Sequence, residues 1–360
     1  MRKILTMLGI VVMIIFTFGL VFAEGQEVSK KDPIVINMGN IDTPFELNLS
    51  NTNGQFSSTD IKCRAFKKIL EAKSHGRFKV KIYPNGQLGN QQEMMEMNRE
   101  GSLQMTGCSA SPIVRYTKEF MAFQIPYIFK DVNVALKAMN GPLGEEFNEL
   151  FVEKTGIRFL AWGFEGYFNV GTVNKKVVVP SDMKGLKIRS GMSAINVQIF
   201  KLLDAIATPI PFTEIYTSLQ QRVIDGVSTP TGFHYALNLY EQEKYLNMAD
   251  ILFSWSPISI NEKFYRSLSK EDQYLIKDAA VEAMKTFQGM VLWGRSLWME
   301  ELKKQGMEVI IPTPEQKALW IKTLRDPMIK WAKKQIGPEW VDKVFNASKE
   351  AEEKLYGSTQ

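Results

Sequence analysis

An α/β architecture with largely parallel sheets, spread over two domains and finished by a helical tail, is what this sequence predicts. Three observations carry the prediction. Strand-like and helical apolar periods alternate through the first two thirds of the chain, the pattern that crossover helices between parallel strands impose. The chain has 360 residues, more than the roughly 250–300 at which a single hydrophobic core stops growing. From Lys270 onward the apolar residues recur mainly at helical spacing.

The elements follow in order. Ile34 to Met38 reads as a first strand. Asp60 to Ser74 carries Ile61, Ala65, Phe66, Ile69 and Leu70 at helical spacing, with Gly76 placed to end the helix. Phe78, Val80 and Ile82 alternate with lysines as in a half-buried strand, and Pro84-Asn85-Gly86 is a turn. A segment with Met94, Met95 and Met97 is helical up to Gly101, its methionines filling core. Leu103 to Cys108 reads as a strand. Leu143 to Glu153 is a helix, Ile157 to Ala161 a strand, and Lys176 to Pro180 and Leu186 to Arg189 two short strands around a turn. Ala194 to Leu203 is helical. In the last third Leu275, Ile276, Ala279, Ala280 and Ala283 share one helix face. Two further helices, near Glu315 to Ala332 and Pro338 to Leu355, finish the chain. This tail either wraps the domains or mediates self-association.

Composition excludes several classes. Hydrophobic residues make up 45% and charged residues 23%, and no repeat or low-complexity stretch interrupts them, so solenoids and disorder are ruled out. The formal charge of +5 is spread along the chain. Lysine pairs such as Lys67-Lys68 and Lys333-Lys334 alternate with acids, as on solvated helix faces. With no finger spacing, aromatic RNP motif or basic arm, nucleic acid is not an expected partner.

The first 23 residues carry a separate message. Arg2 and Lys3 form a short positive region, Ile4 through Ala23 hold no charge, and Val21-Phe22-Ala23 offers a cleavage site before Glu24. That is the form of a cleavable secretory signal. The competing reading is a retained anchor, because the run approaches the roughly 20 residues that span a bilayer. No cysteine stands near the cleavage site, which argues against a lipoprotein. Cys63 and Cys108 are the only cysteines; in an oxidising compartment they either pair or serve as two small buried apolar residues.

The most informative stretch runs from Ser181 to Pro230. A turn, Ser181 to Gly185, feeds a short strand that ends on Arg189, just before Ser190-Gly191. Ligands of open α/β sheets bind outside the carboxyl ends of strands. A guanidinium there can grip a carboxylate through two parallel charge-assisted hydrogen bonds. The alternative is a surface arginine in an ordinary ion pair.

Several segments together resemble the solute-binding subunit of the tripartite ATP-independent periplasmic (TRAP) transporters, of the dicarboxylate-binding type. They are Lys184 to Arg189, the Ala207-Thr208-Pro209-Ile210-Pro211 step, Glu214 to Gln220, and Ile224-Asp225-Gly226 with Pro230. Upstream, Ser74 to Arg77, Tyr83 to Gly89 and Ile125 to Phe129 fit the same pattern, as do Asn261, Leu268 and Asp272-Gln273 downstream. The resemblance covers nearly the whole chain beyond the signal. It implies a two-lobed periplasmic binding protein fold with a central cleft, its lobes joined by hinge strands and a long helix. Residues 24–165 and 256–293 would form lobe I, 166–255 and 294–330 lobe II, and 331–360 a helical tail. It also implies capture of a small organic acid in the periplasm and delivery to TRAP permease subunits, with no cofactor. A ligand-presenting sensor with the same fold is the alternative.

By the same resemblance, Arg189 is the carboxylate anchor, Phe212 packs on the ligand and Thr229 hydrogen-bonds it. Tyr216 faces either core or cleft, while Glu214 and Gln220 are structural. Two departures bear on specificity. Many relatives carry a second arginine where this chain has Gly166-Tyr167-Phe168, so Phe168 replaces a guanidinium. Ser109, in Gly107-Cys108-Ser109, stands where sialic-acid-binding relatives are bulkier. One arginine with an added aromatic points to a monocarboxylate with an apolar or aromatic body. Trp162, Phe164 and Trp255 fall near strand ends, where they either line the pocket or fill the core. No catalytic constellation is present. His75 and His234 are isolated, and there is no metal-ligand spacing, nucleophile elbow, P-loop or dinucleotide fingerprint.

Overall fold

The computed structural model describes residues 32–40, 58–84, 86–191 and 193–357. The signal segment and Asn85 of the expected turn lie outside them. In chain order the first elements are β1 (Ile34–Gly39), α1 (Ser58–Lys73), β2 (Phe78–Tyr83), α2 (Gln91–Glu100), β3 (Met105–Thr106), α3 (Ile113–Tyr116), α4 (Val132–Met139), α5 (Pro142–Thr155) and β4 (Ile157–Ala161). There follow β5 (Phe164–Thr172), β6 (Lys187–Ser190), α6 (Ala194–Leu202), β7 (Ile206–Pro209), α7 (Ile215–Gln220), β8 (Gly226–Pro230), α8 (Thr231–Ala236) and β9 (Tyr245–Asn247). The last are β10 (Phe253–Trp255), β11 (Ile258–Asn261), α9 (Glu262–Ser267), α10 (Lys270–Lys304), β12 (Glu308–Ile310), α11 (Pro314–Ile336) and α12 (Pro338–Tyr356).

Helix ends obey local chemistry. Asn90 accepts hydrogen bonds from the backbone of Gln92 and Glu93, and its own N–H donates to the Glu93 carboxylate, a capping box that fixes where α2 begins. Pro142 opens α5, and the Ser269 hydroxyl caps α10 by accepting from Asp272 N. The buried apolar stripe of α10 includes Ala279, Ala280 and Ala283, whose small side chains let it lie close against α1.

The strands form two sheets, one ordered β2-β1-β3-β11-β4 and one ordered β12-β9-β5-β8-β6-β7, with β10 paired to β5. These are mixed rather than largely parallel. β6 runs parallel to β7 and β8, but β5 is antiparallel to β8, β9 and β10, and β11 is antiparallel to β3 and β4. The chain passes between the sheets at Trp162-Gly163 and again at Ser256-Pro257, and α10 packs on strands of both. Two lobes joined by strand crossings and one long helix follow directly.

Lys176 to Pro180 is not a strand. Val178 N and Val179 N donate to the Asp182 carboxylate, the carbonyls of Val177 and Val178 accept from Asn247 Nδ2, and Trp320 Nε1 donates to Val178 O. Side chains take up the backbone groups that a ladder would have used. The expected strand from Leu103 shrinks to the two residues of β3, the middle strand of its sheet, and the carbonyls of Leu103 and Gln104 ahead of it accept from Asn98 Nδ2.

The C-terminal helices wrap the lobes. α11 packs on α6, and α12 on α4 and α5, with the Ser348 hydroxyl donating to Ile128 O. Trp340 joins a cluster of edge-on and tilted rings with Phe123 and Phe147.

One glycine is required by strand contact. A Cβ on Gly226 would lie 2.3 Å from the carbonyl oxygen of Gly171 on paired β5. A backbone atom cannot step aside as a flexible side chain does. Gly226→Ala is therefore expected to destabilise the protein by about 1–3 kcal/mol or more, read from the urea midpoint at unchanged slope.

Candidate functional site

The carboxyl ends of β6 and β8 meet the loops of the first sheet at a cavity of about 50 Å³. Asp225, ahead of β8, fixes the approach. Its carboxylate accepts from Lys187 N at 2.8 Å and its own N–H donates to Lys187 O at 2.7 Å, tying the start of β6 to that of β8. Two residues on, Arg189 stands opposite Val227 in register.

Arg189 is only 6% exposed. Its Nε donates to Ile210 O at 3.0 Å, and no acidic side chain among the described residues forms an ion pair with it. Burial without a counter-charge pushes its pKa down to about 10, so it stays charged at neutral pH. A desolvated guanidinium with one hydrogen bond spent on the backbone has its terminal nitrogens left to face an anion.

Six of the eight residues singled out from the sequence line this cavity: Arg189, Phe212, Thr229, Phe168, Ser109 and Trp255. Phe212 begins the turn after Pro211 and meets Phe233 edge-on, with ring centroids 5.1 Å apart. Thr229 is buried on β8, paired with Asn169. Phe168 faces Pro230 across the β5–β8 pair. Just before it, Gly166 has φ +135°, and a Cβ there would lie 2.8 Å from Cβ of Pro230. The glycine lets β5 and β8 close up beneath the cavity. Ser109 donates to Gln91 Oε1 at 2.8 Å, and Trp255 donates its indole N–H to Phe123 O.

Trp162 and Tyr216 do not line it. The Trp162 ring stacks on Phe120 and lies 4.4 Å from Phe159 by centroids, in the aromatic core under the first sheet. Tyr216 lies on α7, its hydroxyl bonded to the Glu241 carboxylate. One turn of short helix directs it away from the strand ends. Phe164 is likewise core, packed against Tyr167 and Phe253.

The cavity also uses residues the motif reading passed over, among them Gln91, Ser111, Gln124, Glu165 and Ser254. Glu165 had a signal: it is the one acid within the aromatic run from Trp162 to Phe168. Gln91 and Gln124 had none, because one sits at a helix start and the other ends a tight turn, and only folding brings them to the strand ends. A wider cavity of about 480 Å³ shares Gln91, Ser111, Arg189 and Phe212 and adds Arg115 and Lys118. Arg189 thus stands between an inner pocket and a positively charged approach to it.

The arrangement is that of a binding cleft. Among the described residues no group of three or more His, Cys, Asp or Glu side chains gathers as a metal site. His234 is fully buried with its Nδ1 2.6 Å from Glu243 Oε2 and does not line the cavity.

Comparison with known proteins agrees. The family model for DctP, bacterial extracellular solute-binding protein, family 7, matches residues 49–335. The 2,3-diketo-L-gulonate-binding periplasmic protein YiaO of Escherichia coli (strain K12) is 29% identical over 256 residues, 71% of this chain and 78% of that protein. The sugar acid binding protein DctPAm of Advenella mimigardefordensis, solved with galactonate, has a TM-score of 0.81 at 25% identity, over 89% of this chain and 99% of that one. A TRAP periplasmic solute-binding protein of Ochrobactrum anthropi has a TM-score of 0.78 at 28% identity, covering 90% and 98%. A family match over most of the chain, a two-lobed fold and a cleft built around an arginine lead to one conclusion: the chain belongs to the DctP family of extracellular solute-binding proteins, serves TRAP-type transport, and is not an enzyme.

Proposed function

We propose that this protein captures a compact monocarboxylate outside the cytoplasmic membrane and delivers it to TRAP membrane permease subunits. The observation that carries this is Arg189, the one cationic residue on the inner cavity, buried and without a counter-ion among the described residues. The ligand's carboxylate takes the two terminal nitrogens of the guanidinium, and Thr229 adds a hydrogen bond. Phe168, Phe212 and Trp255 supply the aromatic faces on which the ligand's body rests. Organic acids in the relatives support the class: YiaO is named for 2,3-diketo-L-gulonate, and DctPAm was solved with galactonate. Closure of the lobes about the strand crossings would shut the acid away from water, with the ligand stabilising the closed state. The N-terminal segment is the export signal in this reading, which places the protein in the periplasm.

A thermal-shift screen against aliphatic and aromatic monocarboxylates, dicarboxylates, sugar acids and amino acids tests the proposal, since a ligand of the native state raises Tm by mass action. Stabilisation by monocarboxylates is the expected result; stabilisation by dicarboxylates alone would sink the single-arginine reading. Phe168→Arg sharpens the test. Returning a second guanidinium to the pocket is expected to shift preference toward dicarboxylates by about tenfold or more, measured as the ratio of Kd for succinate and butyrate.

A further inference from the structure

We propose that Glu165 is a second recognition residue, accepting a hydrogen bond from a hydroxyl of the bound acid, so that the ligand is a hydroxylated monocarboxylate. The inference rests on the carboxylate reading of Arg189 and goes beyond it, because it concerns the other functional group of the ligand.

Glu165 opens β5, is 4% exposed and lines the same cavity as Arg189. Its Oε1 accepts from the Ser254 hydroxyl at 2.7 Å. Its Oε2 is buried and has no hydrogen-bond partner among the described residues. A buried acceptor left unpaired is costly, so evolved cavities keep one only where something else comes to fill it. Gln124, also on the cavity wall, has its Oε1 buried and unpartnered in the same way. The pocket therefore offers a cationic donor at Arg189 and unfilled acceptors elsewhere on its wall. A ligand that satisfies both carries a carboxylate and a neutral donor.

Charge decides which donor. Lys62 of α1 is fully buried and donates to the Ser256 hydroxyl and, at 3.3 Å, to Pro257 O. Burial raises the Glu165 carboxyl above its usual range, while the Lys62 charge and the hydroxyls of Ser254 and Ser256 work against that rise. The Lys62 charge already acts on Glu165, whereas Arg189 has no acidic partner among the described residues, so the ligand's carboxylate goes to Arg189. An ammonium group at Glu165 would bring a second cation to an acid that has one, and a second carboxylate would face the acid directly. A hydroxyl fits both constraints.

Isothermal titration calorimetry on the full mature chain, with matched pairs of acids, tests this. The pairs are lactate and propionate, 3-hydroxybutyrate and butyrate, and mandelate and phenylacetate, with alanine as the ammonium counterpart of lactate. At least one hydroxy acid is expected to bind tenfold or more tightly than its deoxy partner. Glu165→Asp, which keeps the charge facing Lys62 but withdraws the oxygens, is expected to reduce that ratio below threefold. So is Glu165→Gln combined with Lys62→Met, which removes both charges. Circular dichroism and urea unfolding establish which variants fold, and the ratio is read on those. A ratio that survives in either folded variant overturns the assignment, as does an absent hydroxyl preference in the wild type or tighter binding of alanine than lactate. The parent reading fails separately: if Arg189→Met leaves binding of both members of a pair unchanged, the carboxylate is held elsewhere. If no acid binds the wild-type chain, both readings fall.

Discussion

Replacing Arg189 with methionine is expected to weaken acid binding at least a hundredfold while leaving the ligand-free protein as stable as before, or more so. The two effects share one cause. Charge-assisted hydrogen bonds contribute about 1.5–3 kcal/mol each, so losing the pair that grips a carboxylate removes about 3–6 kcal/mol, or more than two decades in Kd. Without a ligand the same guanidinium is a liability. Burial without a counter-charge lowers its pKa to about 10, because desolvation disfavours the charged form and works against the folded state until an anion arrives. Methionine fills similar space without the charge and gives up only the hydrogen bond from Nε to Ile210 O, worth about 1 kcal/mol. The urea midpoint of the ligand-free variant should hold or rise, and calorimetry should find no acid binding. A variant that loses stability and binding together would mean that Arg189 is a structural residue of the β6–β8 junction.

The second large effect is expected in the core of the second lobe. His234 and Glu243 are both buried, joined by the contact between Nδ1 and Oε2, while His234 Nε2 and Glu243 Oε1 have no partner among the described residues. Burial raises the Glu243 carboxyl above its ordinary range, and His234 pulls the other way. Gly171 of β5 abuts the carboxylate so closely that a Cβ there would come within 2.3 Å of Oε2. Glu243→Ala strands the imidazole and opens space beside β5; breaking such a buried pair costs about 3–5 kcal/mol. The double substitution His234→Leu with Glu243→Met removes both side-chain members of the buried pair together. It is expected to be less destabilising than Glu243→Ala, by at least about 1 kcal/mol in urea unfolding. A double variant as unstable as the single one would place the role of the pair in shape rather than hydrogen bonding. Either outcome should leave the acid preference intact, because neither residue lines the cavity.

Asn169 and Asp250 hold the site's strand to the helix that spans the lobes. Asp250 N donates to Asn169 Oδ1, and Arg295 of α10 grips the Asp250 carboxylate through both terminal nitrogens at 2.9 and 3.0 Å. β5, which carries Glu165 and Phe168, is thereby tied to a rigid element that packs on both sheets. Preorganisation of this kind keeps a one-arginine pocket selective.

Much of this was legible in the residues. The helix boundaries follow from caps and glycines that act locally, and the short strand ending on Arg189 follows from the turn before it. The family pattern in the stretch from Ser181 to Pro230 marked Arg189, Phe212 and Thr229, all of which reach one cavity. What failed did so where local signals are degenerate. The valines of Lys176 to Pro180 look like a strand, yet Asp182, Asn247 and Trp320 take their backbone groups. Strand direction is not legible in the residues, because alternation does not report which neighbour a strand finds, and β5 pairs antiparallel with three others.

The sequence by itself determined the class of fold, the family and the arginine, because periodicity, caps and contiguous motifs act over a few residues and survive in any register. Tertiary structure alone decided that Trp162 and Tyr216 stay outside the pocket. It also brought Glu165, Gln91 and Gln124 to the strand ends, and it folded the C-terminal helices back over both lobes. Those outcomes depend on which distant segments meet and on which polar atoms are left unpaired when they do. No local pattern encodes that, since the partners lie tens to hundreds of residues apart and are chosen by the packing of the whole chain.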